Sequence, residues 1–580
     1  MRIERYLDEL GSQAILAITG ERASAMVRKT TDRRHGDYQL NAAMSLAKRL
    51  RKLPREIAAQ LADELKAHPE FDQVEVAGPG FVNLRLSKSW IAERLIDSLR
   101  DRERDGVPAV DVPETVVVDF SSPNIAKQMH VGHLRSTIIG DSIVRLLRLI
   151  GHRVIGDNHL GDWGTQFGLL IVGMRAWGDE AALDADPIAE LERVYRLASA
   201  RSETDPDFAA SARAELARLQ AGDAENRALW EHFVAASRRA LEQVYRRLDV
   251  TFDEWMGESA YHDRLPAVVQ DLLARGLARN DAGAVCVFWN ELSNVPEELS
   301  GQKEPFIVRK TDGAYLYATT DIAAALYRKE RWHADRVIYV VDARQALHFR
   351  QLFALLSLMG VELRLEHITF GTVLDEHGKP LKTREGKAVT LAALLDEAEH
   401  RAELRIREGI AEKMLQIDES EVPEVARVVG IGAVKYADLR QNRSSDYQFD
   451  WDKMVSFKGN AGPYIQYAFA RISSLFAKGG LSMSDQLGPV EIGHDSELEL
   501  ARTLLGFGEV VHQAAEGCLP HLVTDYLYDL ARAFSAFYEA CPVLRAEGAT
   551  RQSRLALAAL AGRHLLRGLG LLGIQVVPRM

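Results

Sequence analysis

A chain of 580 residues is too long for one hydrophobic core, and three or four domains are expected of it. Its 47% hydrophobic and 27% charged residues describe an ordinary soluble globular protein, and no apolar run approaches membrane-spanning length. A net charge of −11 excludes indiscriminate nucleic-acid binding, so any RNA contact must come from local basic faces. The opening MRIERYLDEL carries no apolar signal core, which points to the cytoplasm. Cys286, Cys518 and Cys541 are too few and too scattered for a disulfide framework or a zinc knuckle. They read as small buried hydrophobes, and no zinc is expected.

Residues 1–110 have the pattern of a separate α+β domain. Between Glu21 and Arg55 ten Lys/Arg stand against Glu21, Asp32 and Asp37, a pattern open to two readings: a phosphate-binding stripe or a solvated helix face. The alternation in FVNLRL (81–86) after Gly78-Pro79-Gly80 predicts a strand following a turn. DRERDGVPAVDVP (101–113) reads as a linker.

The stretch VVVDFSSPNIAKQMHVGHLRSTIIGDSIVRLLRLI (116–150) carries most of the chemistry. Val116, Val117 and Val118 form a β-branched run suited to the centre of a parallel sheet. Ser121, Ser122, Pro123 and Asn124 then end the strand with turn chemistry. From Val131 the apolar residues Leu134, Ile138, Ile139, Val144, Leu147 and Ile150 recur at helical spacing, with Gly151 as the stop. With a second strand at 152–156 this predicts a βαβ unit. His130, Gly132 and His133 fall at the loop-to-helix junction. Unpaired N–H groups there attract phosphate, Gly132 admits a flat base or a phosphate close to the backbone, and imidazoles at i and i+3 share a face. The junction is neither a Walker loop nor a GxGxxG turn, so this pair of histidines alone leaves a nucleotide site and plain capping residues both open.

DNHLGDWG (157–164) is rich in Gly and polar residues at a strand's carboxyl end, where open α/β sheets bind ligands. Residues 175–290 read as a charged, mostly helical insertion, after which DGAYLYATTDIA (312–323) and RVIYVVD (336–342) resume the nucleotide-binding fold. From about 426 to 580, four segments with apolar faces at helical period predict an all-α bundle.

The stretch DFSSPNIAKQMHVGHLRSTIIGD closely resembles the signature region of arginyl-tRNA synthetases, which are class I aminoacyl-tRNA synthetases, with HVGH in place of their His-x-Gly-His motif. The resemblance continues in order through DNHLGDWGTQFG (157–168), DGAYLYATTDIA (312–323), DARQALHFRQ (342–351) and GPYIQYAFARISSL (462–475). GDYQLNAAMSLAK (36–48) and AGPGFVNLRL (77–86) resemble the family's N-terminal domain, placed against the tRNA elbow, which favours the phosphate-binding reading of the basic stripe.

The resemblance implies a multidomain α/β protein: an N-terminal α+β domain (1–110), a Rossmann-like catalytic domain (111–425) with its insertion at 175–290, and an anticodon-binding helical bundle (426–580). It implies ATP with Mg²⁺, L-arginine and tRNA(Arg) as ligands of a cytoplasmic monomer, with bound tRNA expected to be needed for activation itself. It makes His130 and His133 catalytic and, with Gly132, ATP-binding. Asp119 and Asp321 would supply the acidic contacts to arginine, Tyr317 and Gln345 would complete its pocket, and Asn124 would hold the amino acid's backbone end beside His130. A planar guanidinium with five donors is best matched by such carboxylates and fixed acceptors. The family's second signature, a Lys-Met-Ser-Lys-Ser loop, is altered here to GKPLKTREGKAVTL (378–391), without its second lysine. Lys127, Lys382 and Arg384 are then the candidate cations for the pyrophosphate leaving group, and Gln441, Asn442 and Arg443 are candidates to face the tRNA. Two alternatives stay open: another class I synthetase such as the cysteinyl one, against which the cysteine usage counts, and a non-catalytic tRNA-binding paralogue.

Overall fold

Val116, Val117 and Val118 are fully buried at the centre of a four-stranded parallel sheet. The sheet runs in the order Arg364–Ile368, Arg336–Val340, Thr115–Asp119, Arg153–Asp157. Each buried valine stabilises the sheet by roughly 1.5–3 kcal/mol. The structure, a computed structural model, describes residues 1–375, 377–381, 389–486 and 488–580. The strand Thr115–Asp119 feeds the helix Val131–Leu149, which returns to the strand Arg153–Asp157, so the predicted βαβ unit is present. Strand order reverses between Thr115–Asp119 and Arg336–Val340, the place where a ligand crevice opens in such sheets.

The N-terminal unit pairs Val27–Lys29, Tyr38–Leu40, Phe81–Leu86 and Phe71–Ala77 in an antiparallel sheet packed by helices. Part of its basic stripe is already paired: Arg33 reaches Asp37 and Glu499, Arg34 reaches Asp32, and Arg49 reaches Glu21. Helices from Thr165 to Arg247 lead into the expected insertion and fill its first part. Beyond them the helix Leu265–Ala274 continues the helical reading, and the strands that follow depart from it. Arg279–Asp281, Ala284–Val287 and Phe306–Arg309 form an antiparallel sheet, its strands of 3 or 4 residues too short to show a period in the sequence.

Helices from Leu391 to Leu571 make up the C-terminal third, and one of them, Val422–Leu439, runs through the expected boundary at 425. That helix is tied to the signature helix by buried charges. Arg135 sits 3.1 Å from Asp438 with both side chains buried, and Lys435 donates to the carbonyls of Leu248 and Gly573 at 2.5 and 2.6 Å. Arg443, one of the candidates to face the tRNA, donates to the carbonyls of Cys518 and Thr369. No described helix is long and apolar enough to cross a membrane.

Candidate active site

At the reversal of strand order lies a cleft of about 380 Å³. It gathers Asp119, Asn124, His130, Gly132, His133, Tyr317, Asp321 and Gln345, residues up to 226 positions apart (345 minus 119), onto one lining. Lys127 is not on that lining; its ammonium lies 5.6 Å from the ring centroid of Tyr195 in the insertion. Lys382 and Arg384 lie outside the described residues. The end of their segment is anchored beside the signature motif, since Val131 N–H donates to Val389 O and Leu391 N–H to Met129 O.

The strand-to-helix loop holds an unusual backbone. Ser121, Ser122 and Ala126 all have positive φ, at 69°, 46° and 63°. Conformations of this kind cost on the order of 1–2 kcal/mol each for residues with a Cβ. They are held by buried hydrogen bonds: Ser121 N–H donates to Ser136 Oγ at 2.9 Å, and Ser136 Oγ–H donates to Val340 O at 2.6 Å. The loop thereby carries Asn124 over Gly161, where a Cβ would overlap the Asn124 amide oxygen.

At the helix start, His130 is the N-cap of Val131–Leu149, its Nδ1 accepting from Gly132 N–H at 3.0 Å. His133 Nδ1 accepts from His130 N–H at 3.1 Å. Each Nδ1 is therefore an acceptor, which assigns the proton of each neutral ring to Nε2. Burial holds His133 down to about 4, with His130 adding to the effect, and burial with the nearby Arg344 lowers His130 as well. The pair meets the cleft as neutral N–H donors at neutral pH. A Cβ on Gly132 would come within 2.8 Å of the His130 ring, so a larger residue there would displace that imidazole.

The opposite end is acidic. Asp321 and Tyr317 start the helix Tyr317–Trp332, and Asp321 Oδ2 lies 2.6 Å from His348 Nε2, with Tyr317 edge-on to the same imidazole at 4.7 Å. Asp119 lies on the same lining, with its carboxylate shared with the protein. Its carboxylate already accepts from Arg328 Nη2 at 2.6 Å and from Ser122 Oγ at 2.9 Å.

Glu258, which the sequence reading missed, joins Asp321 on the lining. Burial raises its carboxyl to about 7, opposed by His159 and reinforced by Asp321 and Asp162. It lies in the turn Glu258–Arg264, outside every motif quoted above, so nothing in the local pattern marks it. His348 sits inside DARQALHFRQ, and its position there was the available signal. Arg344, also missed, is the one Lys or Arg among the described residues lining the cleft. Among the described residues no group of three or more His, Cys, Asp or Glu could hold a metal ion.

A parallel sheet with a His-x-Gly-His helix start at its switch point defines a class I aminoacyl-tRNA synthetase catalytic domain, and residues 97–451 match the family model for "tRNA synthetases class I (R), catalytic domain". Residues 465–580 match a DALR anticodon binding domain, and residues 3–86 an arginyl-tRNA synthetase N-terminal domain. The arginine–tRNA ligases of Proteus mirabilis and Marinomonas sp. are 46% and 44% identical, each over 100% of both chains. Arginyl-tRNA synthetase from Plasmodium falciparum superposes with a TM-score of 0.83 at 28% identity, covering 100% of this chain and 99% of that one. The Thermus thermophilus enzyme gives 0.81 at 27% identity over 100% of both. The chain belongs to the arginyl-tRNA synthetase family.

Proposed function

We propose that the protein activates L-arginine with ATP to arginyl-adenylate and transfers the arginyl group to the 3′-terminal adenosine of tRNA(Arg). The observation that carries this reading is one cleft whose two ends differ in kind: neutral imidazole donors at a helix start, and Asp321 with Glu258 beside Tyr317 opposite. The arginine lies between them. Its guanidinium meets Asp321 and Glu258, with Tyr317 and Gln345 closing that end, and Asn124 holds its backbone end beside His130. Its carboxylate attacks the α-phosphate in line, while the Nε2–H groups of His130 and His133 stabilise charge on the phosphorus centre and pyrophosphate leaves. The adenylate then esterifies the terminal adenosine at its 2′-hydroxyl, following the class I pattern.

Lys127, Lys382 and Arg384 are the proposed cations for the leaving group, and Arg344, on the cleft's lining, is a further candidate. Mg²⁺ enters only with the nucleotide's phosphates, and no step is assigned to it. The proposed division places the N-terminal unit at 1–110, the catalytic unit at 111–425 and the anticodon-binding bundle at 426–580, with the helix Val422–Leu439 as the joint. The proposed working form is a cytoplasmic monomer. Charging of tRNA(Arg) with labelled arginine tests the reading. Ester formation that requires ATP and the terminal adenosine is expected, and binding of the tRNA without charging would contradict it.

A further inference from the structure

Behind the acidic end of the cleft sits a guanidinium that belongs to the protein. Arg328 is fully buried, and its Nη2 donates at once to Asp119 Oδ2 at 2.6 Å and to Asp157 Oδ2 at 2.7 Å. Those carboxylates are register partners at the carboxyl ends of neighbouring parallel strands, and Tyr339 is the register partner of Asp119 on the next strand. The Arg328 guanidinium lies 5.4 Å from the Tyr339 ring centroid. One side chain thus spans a row of three strands at the switch point. Among the described residues its Nε and Nη1 find no hydrogen-bond acceptor, so the two carboxylates and the Tyr339 ring set where the guanidinium rests.

What Arg328 connects is the two halves of the cleft. It lies on the helix that also carries Tyr317 and Asp321, at i+11 and i+7 from them, which puts the three on one face. Its partner Asp119 accepts from Ser122 Oγ–H at 2.9 Å, and Ser122 N–H donates to Asn158 Oδ1 at 3.1 Å, which pins the positive-φ loop that leads to Asn124. The chain of contacts runs from Asp321 through its helix to Arg328, then through Asp119 and Ser122 to Asn124.

Resting on the functional reading above, we propose that Arg328 is a positioning residue that sets the distance between the guanidinium end and the backbone end of the arginine site. It thereby selects the length of the substrate side chain. It also keeps Asp119 and Asp157 neutralised by the protein, so that the substrate's cation is met by Asp321 and Glu258. Arginine suits this role because it remains charged when buried and is more weakly hydrated than an ammonium, whereas lysine carries a shorter, point-like charge.

The test compares L-arginine with L-homoarginine, one methylene longer, in ATP–pyrophosphate exchange with tRNA present. It uses the full chain as wild type, Arg328→Lys and Arg328→Ala. Arg328→Lys keeps the charge but alters reach, and is expected to raise the KM for arginine by about 10²-fold. It is also expected to narrow the preference over homoarginine while leaving the KM for ATP unchanged. Millimolar guanidinium chloride is expected to restore arginine use and length selectivity to Arg328→Ala, measured against wild type in the same salt. Should Arg328→Ala fail to fold, Arg328→Lys decides alone. A lower melting temperature in Arg328→Lys with unchanged arginine KM and unchanged selectivity overturns the proposal, as does a folded Arg328→Ala indifferent to guanidinium. Wild-type exchange without preference for arginine overturns the functional reading, and this inference with it.

Discussion

The two ends of the cleft are built by opposite means. The His130–His133 end is local: four consecutive residues at one helix start make their own hydrogen bonds, and burial keeps the rings uncharged. The guanidinium end is assembled from distant segments. Asp321 comes from one helix and His348 from the next, while Glu258 comes from the turn that follows the insertion's helices. A charge-accumulating transition state needs fixed dipoles and little else, which a single helix terminus can provide. A cationic side chain must be surrounded, and no single helix or strand surrounds anything.

That difference predicts which perturbations cost rate and which cost affinity. The largest effect is expected from His133→Ala, which removes a fixed donor at the reacting phosphate. Adenylate formation should fall by about 10²–10³-fold with little change in the KM for arginine, as read by single-turnover kinetics. Asp321→Asn comes next. It leaves His348 and the substrate cation without their charged acceptor, raising the KM for arginine by roughly 10²-fold while the KM for ATP holds. An unchanged KM would erase the contrast between the ends.

Gly161→Ala sharpens the comparison from the middle of the cleft. The new Cβ overlaps Asn124, so a roughly tenfold loss in kcat/KM for arginine is expected, from misplacement of the backbone end. The smallest effect lies in Glu258. Its raised pKa of about 7 means that in the free enzyme the carboxyl binds a proton as pH falls below that value. The substrate cation favours the ionised form, so arginine binding below pH 7 must release the proton. The KM for arginine should then rise severalfold as pH falls below about 7, towards the value of Glu258→Gln, and level off above. Glu258→Gln should flatten this profile at a modestly raised KM, and a wild-type profile flat from pH 5.5 to about 8.5 would contradict the assignment.

The same contrast explains what could be read in advance. The βαβ unit, the helix start and the histidine pair follow from a valine run, a turn and an apolar period that all lie within 35 residues (116–150). Asp321 and Tyr317 could be placed because their motif is continuous. Glu258 could not, since its carboxyl acquires meaning only when the insertion folds back against His159 and Asp321. Asp119 shows the converse. A strand-end carboxylate in the right motif looks free in sequence, yet it is already matched by Arg328, 209 residues away. Arg328 itself carries no local mark, being one basic residue in the YRKERW end of a helix. The short antiparallel strands between Arg279 and Arg309 stayed hidden because 3 or 4 residues are too few to show alternation.

The central claim is that one cleft joins a neutral phosphate end to an arginine-specific acidic end. ATP–pyrophosphate exchange with a panel of amino acids, run with and without tRNA, tests it most directly. The account predicts exchange with arginine alone, dependent on His133 for its rate and on Asp321 for its KM. Exchange with a neutral or shorter amino acid at comparable efficiency, or none with any amino acid despite tRNA binding, would contradict it.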